Sequence, residues 1–131
     1  MNNGIIPISW TPAFQALLRV ITGLLFVEHG TMKLFHFPVA QPGLEGSLPP
    51  LFFIGALIEV IGGLLFTVGF LTRWVAFILA GEMAVAYFVF HFPGGFWPGV
   101  NQGGEAILYT FIFLFFAAAG ASAYSVDSSR K

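Results

Sequence analysis

Polar and apolar residues are unevenly spread along this chain. The apolar ones gather in long runs, separated by short stretches rich in proline and glycine. Four runs approach the ~20 mostly apolar residues that a bilayer-crossing helix needs, at about 12–35, about 51–71, about 73–92 and about 104–124. Stretches such as AILYTFIFLFFAAAGASAY are apolar on every face, which suits a helix surrounded by lipid better than one that half faces water. Helices are expected rather than strands, because a lone strand leaves its backbone groups unpaired in hydrocarbon. The connections alternate in kind. PVAQPGLEGSLPP and PGGFWPGVNQGG separate the first run from the second and the third from the fourth, and both are rich in helix breakers. Between the second and third runs there are only Phe70, Leu71, Thr72 and Arg73. The pattern predicts an all-α integral membrane protein, one domain over residues 1–131, folded as an up-down-up-down bundle of four transmembrane helices.

Composition points the same way. Apolar residues make up 57% of the chain and charged ones 8%, against roughly 45–50% and about 25% in soluble globular proteins. The lipid bilayer is therefore the expected first partner. A net charge of −1 gives no basic surface for nucleic acid. With no cysteine, disulfide chemistry, thiol redox chemistry and cysteine metal sites are excluded within the chain. The opening MNNGIIPISW has no basic region and no small-residue cleavage site, so the first apolar run is expected to be retained. Arg73, Arg130 and Lys131 cluster at the ends that share a side with the short turn, while the two long loops carry no Lys or Arg. The positive-inside rule then places both termini in the cytoplasm.

Charges inside the runs carry the candidate chemistry, since each costs at least ~2.5–3.5 kcal/mol near the bilayer centre. On helical wheels, Arg19, His29 and Lys33 share a face of the first run with Gly23 and Gly30. Glu59 shares a face of the second run with Gly55, Gly62 and Gly63, Glu82 falls mid-way along the third, and Glu105 and Tyr109 share a face of the fourth. Small residues allow close helix approach, so a polar seam is expected inside the bundle. Arg19, His29, Glu59 and Glu82 are the candidate catalytic residues; Lys33, His91, Glu105 and Tyr109 are the candidate ligand-binding ones. Arg19 is expected to pair with Glu59 or Glu82, and two acids beside one arginine leave a proton to place. Structural roles compete at each position. The pair can simply fix helix register, Lys33 can snorkel to the interface, and Glu105 suits a helix N-terminus. Glu28 faces away from the seam. No ligand spacing supports a metal site.

The tetrapeptide FHFP occurs twice, at Phe35–Pro38 and Phe90–Pro93. Each copy ends an outward-going run, where an aromatic belt and a proline stop explain everything except His36 and His91.

Taken in order, these segments resemble the DoxX family of small bacterial four-span membrane proteins. LLRVITGLLFVEHGTMKLF carries the family's arginine, glycine, His-Gly and lysine. ALIEVIGGLLFTVGFLTRWVAFILAGEM carries its glutamate before Gly-Gly, the short glycine turn and the arginine opening the third span. GGEAILYTFIFLFFAAAGASAYSVD is similar to its last span. The likeness runs over about 13–127 and marks Arg19, His29, Lys33, Glu59, Arg73 and Glu105 as family-type polar positions; Glu28 and the FHFP repeats fall outside it. It implies a location in the bacterial cytoplasmic (inner) membrane, and a quinone- or small-molecule-linked subunit of a membrane redox system. A quinone is the implied cofactor, with no covalent cofactor expected. The chain would act as an accessory subunit of an oxidoreductase, beside a protein partner or further copies of itself. Two alternatives stand beside this reading: a non-catalytic membrane anchor or assembly subunit, and a small proton or solute transporter.

Overall fold

The computed structural model describes residues 3–130. Met1, Asn2 and Lys131, the last of which entered the orientation argument, lie outside the described residues. Those described form helices joined by loops, with no strand among them. The main helices are α1 (Thr11–Leu34), α2 (Pro50–Val68), α3 (Thr72–Ala86) and α5 (Gly104–Ala119), with two single-turn helices, α4 (Pro98–Asn101) and α6 (Val126–Ser129). Pro12 and Pro50 stand in the first turns of α1 and α2, where a missing N–H costs nothing. α3 continues into a π-helical turn at Tyr87–His91 and a 3-10 turn at Phe92–Gly94.

Three stretches are long and apolar enough to cross a membrane: Ile8–Leu34, Pro50–Val68 and Thr72–Gly94. α5 is shorter. At 16 residues it spans roughly 24 Å, less than the ~30 Å of a hydrocarbon core. The run expected to continue to about 124 stops at Ala119 because Gly120, at φ 83°, turns the chain out of the helix.

α1 packs most closely on α2 and α3 on α5, while α2 and α3 touch less. The α1–α2 approach depends on glycine. A methyl group at Gly23 would come within 3.0 Å of Thr67 Cα, and one at Gly30 within 2.9 Å of the Ala56 carbonyl. In the middle, Phe26, Phe66, Phe113 and Phe116 are fully buried. They meet edge to face, with centroids 4.9 Å apart for Phe26–Phe113 and 5.0 Å for Phe66–Phe113. The outward faces remain apolar, with Leu17, Ile21, Leu64, Phe77 and Phe111 exposed. A continuous greasy surface of this kind belongs in lipid.

The start of α1, the end of α2, the start of α3 and the end of α5 meet at one end, here termed the closed end. Gln15 donates to the Gly120 carbonyl, and Ser122 to that of Pro12. Gly69, left-handed at φ 74°, closes α2, with the Phe70 N–H donating to Leu65 O. The segment after α5 folds back beneath this turn. Asp127 accepts from the N–H groups of Leu71 and Thr72 at 2.8 and 2.9 Å, which caps α3 from a distant part of the chain. Burial alone would raise the Asp127 carboxyl. The two N–H bonds and the nearby Arg130 charge outweigh it and hold the group below the usual carboxylate range.

Candidate functional site

Arg19 is 1% exposed and belongs to the closed end. Its guanidinium donates to the carbonyls of Thr67 and Tyr124, at 3.3 and 2.8 Å, and to those of Ala121 and Ala123. The expected pairing with Glu59 or Glu82 is not found. The α1–α2 register explains why. Gly23 lies against Thr67 and Gly30 against Val60, so Glu59 is level with the last third of α1, far from Arg19.

Lys33 takes the place expected for Arg19. Its Nζ donates to both Glu59 oxygens, at 2.6 and 2.7 Å. The two side chains are only 10% and 3% exposed. A helical side chain leans toward its own N-terminus, so Lys33, one residue from the end of α1, points back into the bundle. It does not snorkel outward. Glu82, from α3, lies in electrostatic contact with both members of the pair. One ammonium thus faces two carboxyl groups, and Glu82 Oε2 is buried without a hydrogen-bond partner among the described residues. A proton or a donor brought by a ligand can restore the balance.

This cluster forms part of the wall of a cavity of roughly 850 Å³ at the other, open end. Apolar side chains from α2, α3 and the π-helical turn, among them Phe52, Ile58, Met83 and Phe90, make up most of the lining. His29, His91, Glu105 and Tyr109 also line it. His29 Nε2 and Glu105 Oε1 are 2.7 Å apart, joining α1 to the start of α5, and Tyr109 meets the His29 ring edge to face at 5.7 Å. His91 Nδ1 donates to the Asn101 carbonyl at 3.1 Å, so its ring is fixed by the loop before α5. Seven of the eight candidate residues therefore converge on one cavity, and Arg19 is the exception.

The two FHFP copies part company. His91 lies on the π-helical turn and lines the cavity. His36 is exposed, at φ 52°, past the end of α1, and does not line it. Glu28 is exposed and does not line the cavity.

Sequence reasoning passed over two residues. Asn101 is buried; its amide donates to Gly95 O at 2.8 Å and accepts from the Gly103 N–H at 2.7 Å, shaping the loop that carries His91's partner. An asparagine just before Gln-Gly-Gly was a signal of that turn. Gln41, in the first long loop, lines the cavity with a buried oxygen that has no partner among the described residues; nothing in its Pro/Gly-rich surroundings marks it out.

The fold and its exposed apolar faces define a small helical integral membrane protein with a polar cluster at one end of the bundle. The chain belongs to the DoxX family, whose model matches residues 14–92. It is similar to an uncharacterized protein of Haemophilus influenzae, 39% identical over 123 residues, which cover 91% of this chain and 92% of that protein. It is also similar to the inner membrane protein YqjF of Escherichia coli, 33% identical over 113 residues, covering 83% and 85%. No solved structure matches it.

Proposed function

We propose that the cavity holds a lipophilic ring compound of the quinone type, and that the protein serves a membrane redox system as its small-molecule-binding subunit. The observation that carries this reading is the buried Lys33–Glu59 pair with Glu82, set in the wall of a largely apolar cavity. About 850 Å³ suits a ring with part of its tail, within the ~300–1,000 Å³ common for small-molecule sites. The likeness to an inner membrane protein favours the bacterial inner membrane. An up-down-up-down four-helix bundle, one domain with both termini cytoplasmic, fits the charge pattern.

Such a ring, when bound, supplies exchange of electrons together with protons. The chain supplies position and charge. Phe52, Ile58 and Phe90 exclude water, while Lys33 and Glu59 fix the polar end. His29 and Glu105 line the same cavity and offer a path by which a proton released from the bound ring leaves it. With no cysteine in the chain, electrons come from a partner subunit or from the bound compound itself. Arg19 acts on structure in this account.

Native mass spectrometry of the protein released in mild detergent tests the reading. A co-purifying quinone or quinol is expected, and Lys33→Met should lose it. Wild-type protein that carries no such compound, and takes none up when decylbenzoquinone and its hydroquinone are added, contradicts it.

A further inference from the structure

The cavity at the open end is lined by two side chains with buried acceptors that have no partner among the described residues, Glu82 and Gln41. We propose that the cavity selects an amphiphile whose head group is a hydrogen-bond donor, a hydroxyl of the phenol or hydroquinone kind, which enters sideways from the bilayer between α2 and α3 and places that hydroxyl on Glu82 Oε2. This rests on reading the cavity as a binding site and adds the chemistry it accepts and the route into it.

The selectivity follows from the hydrogen-bond inventory. Two of the three Lys33 ammonium protons are engaged by Glu59. The acceptors left without a partner among the described residues, Glu82 Oε2 and, at the loop side, Gln41 Oε1, are buried atoms of side chains that line the cavity. A carbonyl head can accept the third ammonium proton but leaves Glu82 without a donor. A hydroxyl can do both, accepting from Lys33 and donating to Glu82. Leaving a buried acceptor unmatched costs more than a typical hydrogen bond gains on balance, so the oxidised and reduced forms of one ring are distinguished by donor count.

The route follows from packing. α2 and α3 close on each other where a methyl at Gly62 would meet Leu79 Cδ2 at 2.7 Å. Toward the open end they part. Ile54, Ile78, Val85 and Val89 line the cavity and are each more than half exposed, as a cavity open toward the lipid-facing surface requires. Two glycines keep the gap clear. Gly55 has Glu82 Oε1 3.4 Å from the position of a Cβ, and a Cβ at Gly81 would meet nothing within 4 Å. Both line the cavity.

The same donor chemistry belongs to a ring hydroxyl and to a lipid alcohol, and the test separates them. Full-length protein in detergent is titrated without oxygen, by native mass spectrometry, with decylhydroquinone, decylbenzoquinone, the di-O-methyl ether of the hydroquinone, and dodecanol. The hydroquinone should bind wild type about tenfold tighter than the quinone or the ether. Dodecanol matching the hydroquinone supports the donor rule and assigns an alkyl alcohol; weaker dodecanol supports it and assigns a ring. Glu82→Leu removes the acceptor and leaves Lys33–Glu59 a neutral pair, so the variant should fold, with the preference abolished. Gly81→Phe, placed in open space, should keep the melting temperature and reduce binding of every compound. The donor rule is overturned if the ether binds wild type as well as the hydroquinone does, or if the preference survives in Glu82→Leu. The route is overturned if Gly81→Phe folds and binds as wild type does. If no compound binds wild type, the binding-site reading falls with it.

Discussion

α1 buries two cations on one face, about four turns apart, and they are treated in opposite ways. Arg19 is surrounded by backbone carbonyls from the end of α2 and the segment after α5. Its hydrogen bonds among the described residues all go to carbonyls, with the Asp127 charge acting from farther off, and Thr67, Ala121, Ala123 and Tyr124 are tied to one fork of donors. Lys33 meets a carboxylate pair of which one member is left short of a partner. A planar guanidinium with five donors suits a closed, fully occupied clasp; a compact ammonium suits a site whose charge balance can change. The difference separates the end that holds the helices together from the end proposed to bind a ligand.

Substitution at the clasp should have the largest effect. Arg19→Ala leaves several carbonyls without donors, at about 1–3 kcal/mol for each that stays buried, so a loss on the order of 3–5 kcal/mol and poor accumulation are expected. Thermal unfolding in detergent reads this. Arg19→Lys should recover little, because one ammonium cannot reach carbonyls on two sides. Neither Glu59→Gln nor Glu82→Gln should rescue the variant; rescue by either would put Arg19 back in the cluster.

Lys33→Met comes next. It strands Glu59 in the interior, at roughly 3 kcal/mol, and here a second change should help. Lys33→Met with Glu59→Met should recover most of the lost stability while ligand binding stays lost. A double variant no more stable than the single one would mean that the pair does not act as a unit.

Asp127→Asn should cost less, about 1 kcal/mol, as removal of a helix cap does. The sign of its pH dependence follows from the lowered carboxyl. The stabilisation is fully present above the range in which an unfolded aspartate titrates, and is lost as pH falls through the lower folded value. Wild type should therefore lose this increment on acidification below the ordinary carboxylate range, and Asp127→Asn should lack it, as seen in melting curves across that range.

The smallest effects separate the two FHFP histidines. His91→Phe removes one hydrogen bond to Asn101, worth about 1 kcal/mol, while exposed His36→Phe should change stability by less than about 0.5 kcal/mol. Equal effects would erase the distinction drawn between a cavity histidine and a boundary one.

Much of this was legible in the sequence because lipid imposes length and polarity directly. Apolar runs near bilayer thickness and loops of proline and glycine marked the helices, and the charges in such runs, Glu28 apart, were expected to face inward. That reasoning gathered Lys33, Glu59, Glu82 and Tyr109 on inward faces. It failed on partners, because a helical wheel gives the angle of a residue but not its level against a neighbour. The level is set by where Gly23 and Gly30 let α2 approach, a fit between two surfaces that neither shows alone. The early end of α5 was hidden for a related reason. The apolar run continues past Gly120, and the clasp around Arg19 holds the chain that follows this glycine outside the helix. Gln41 had no periodic signal at all.

Under the proposed function, the Lys33 end binds a lipophilic ring and the Arg19 end does not. Photoaffinity labelling tests it directly, using a quinone that bears a photoreactive diazirine on its alkyl tail, followed by peptide mapping. Adducts should concentrate on the cavity-lining stretches of α2 and α3, near Phe52, Glu59, Glu82 and Phe90, and excess decylhydroquinone should suppress them. Adducts spread over the lipid-facing residues of all helices and indifferent to the competitor, or gathered around Arg19, would contradict the account.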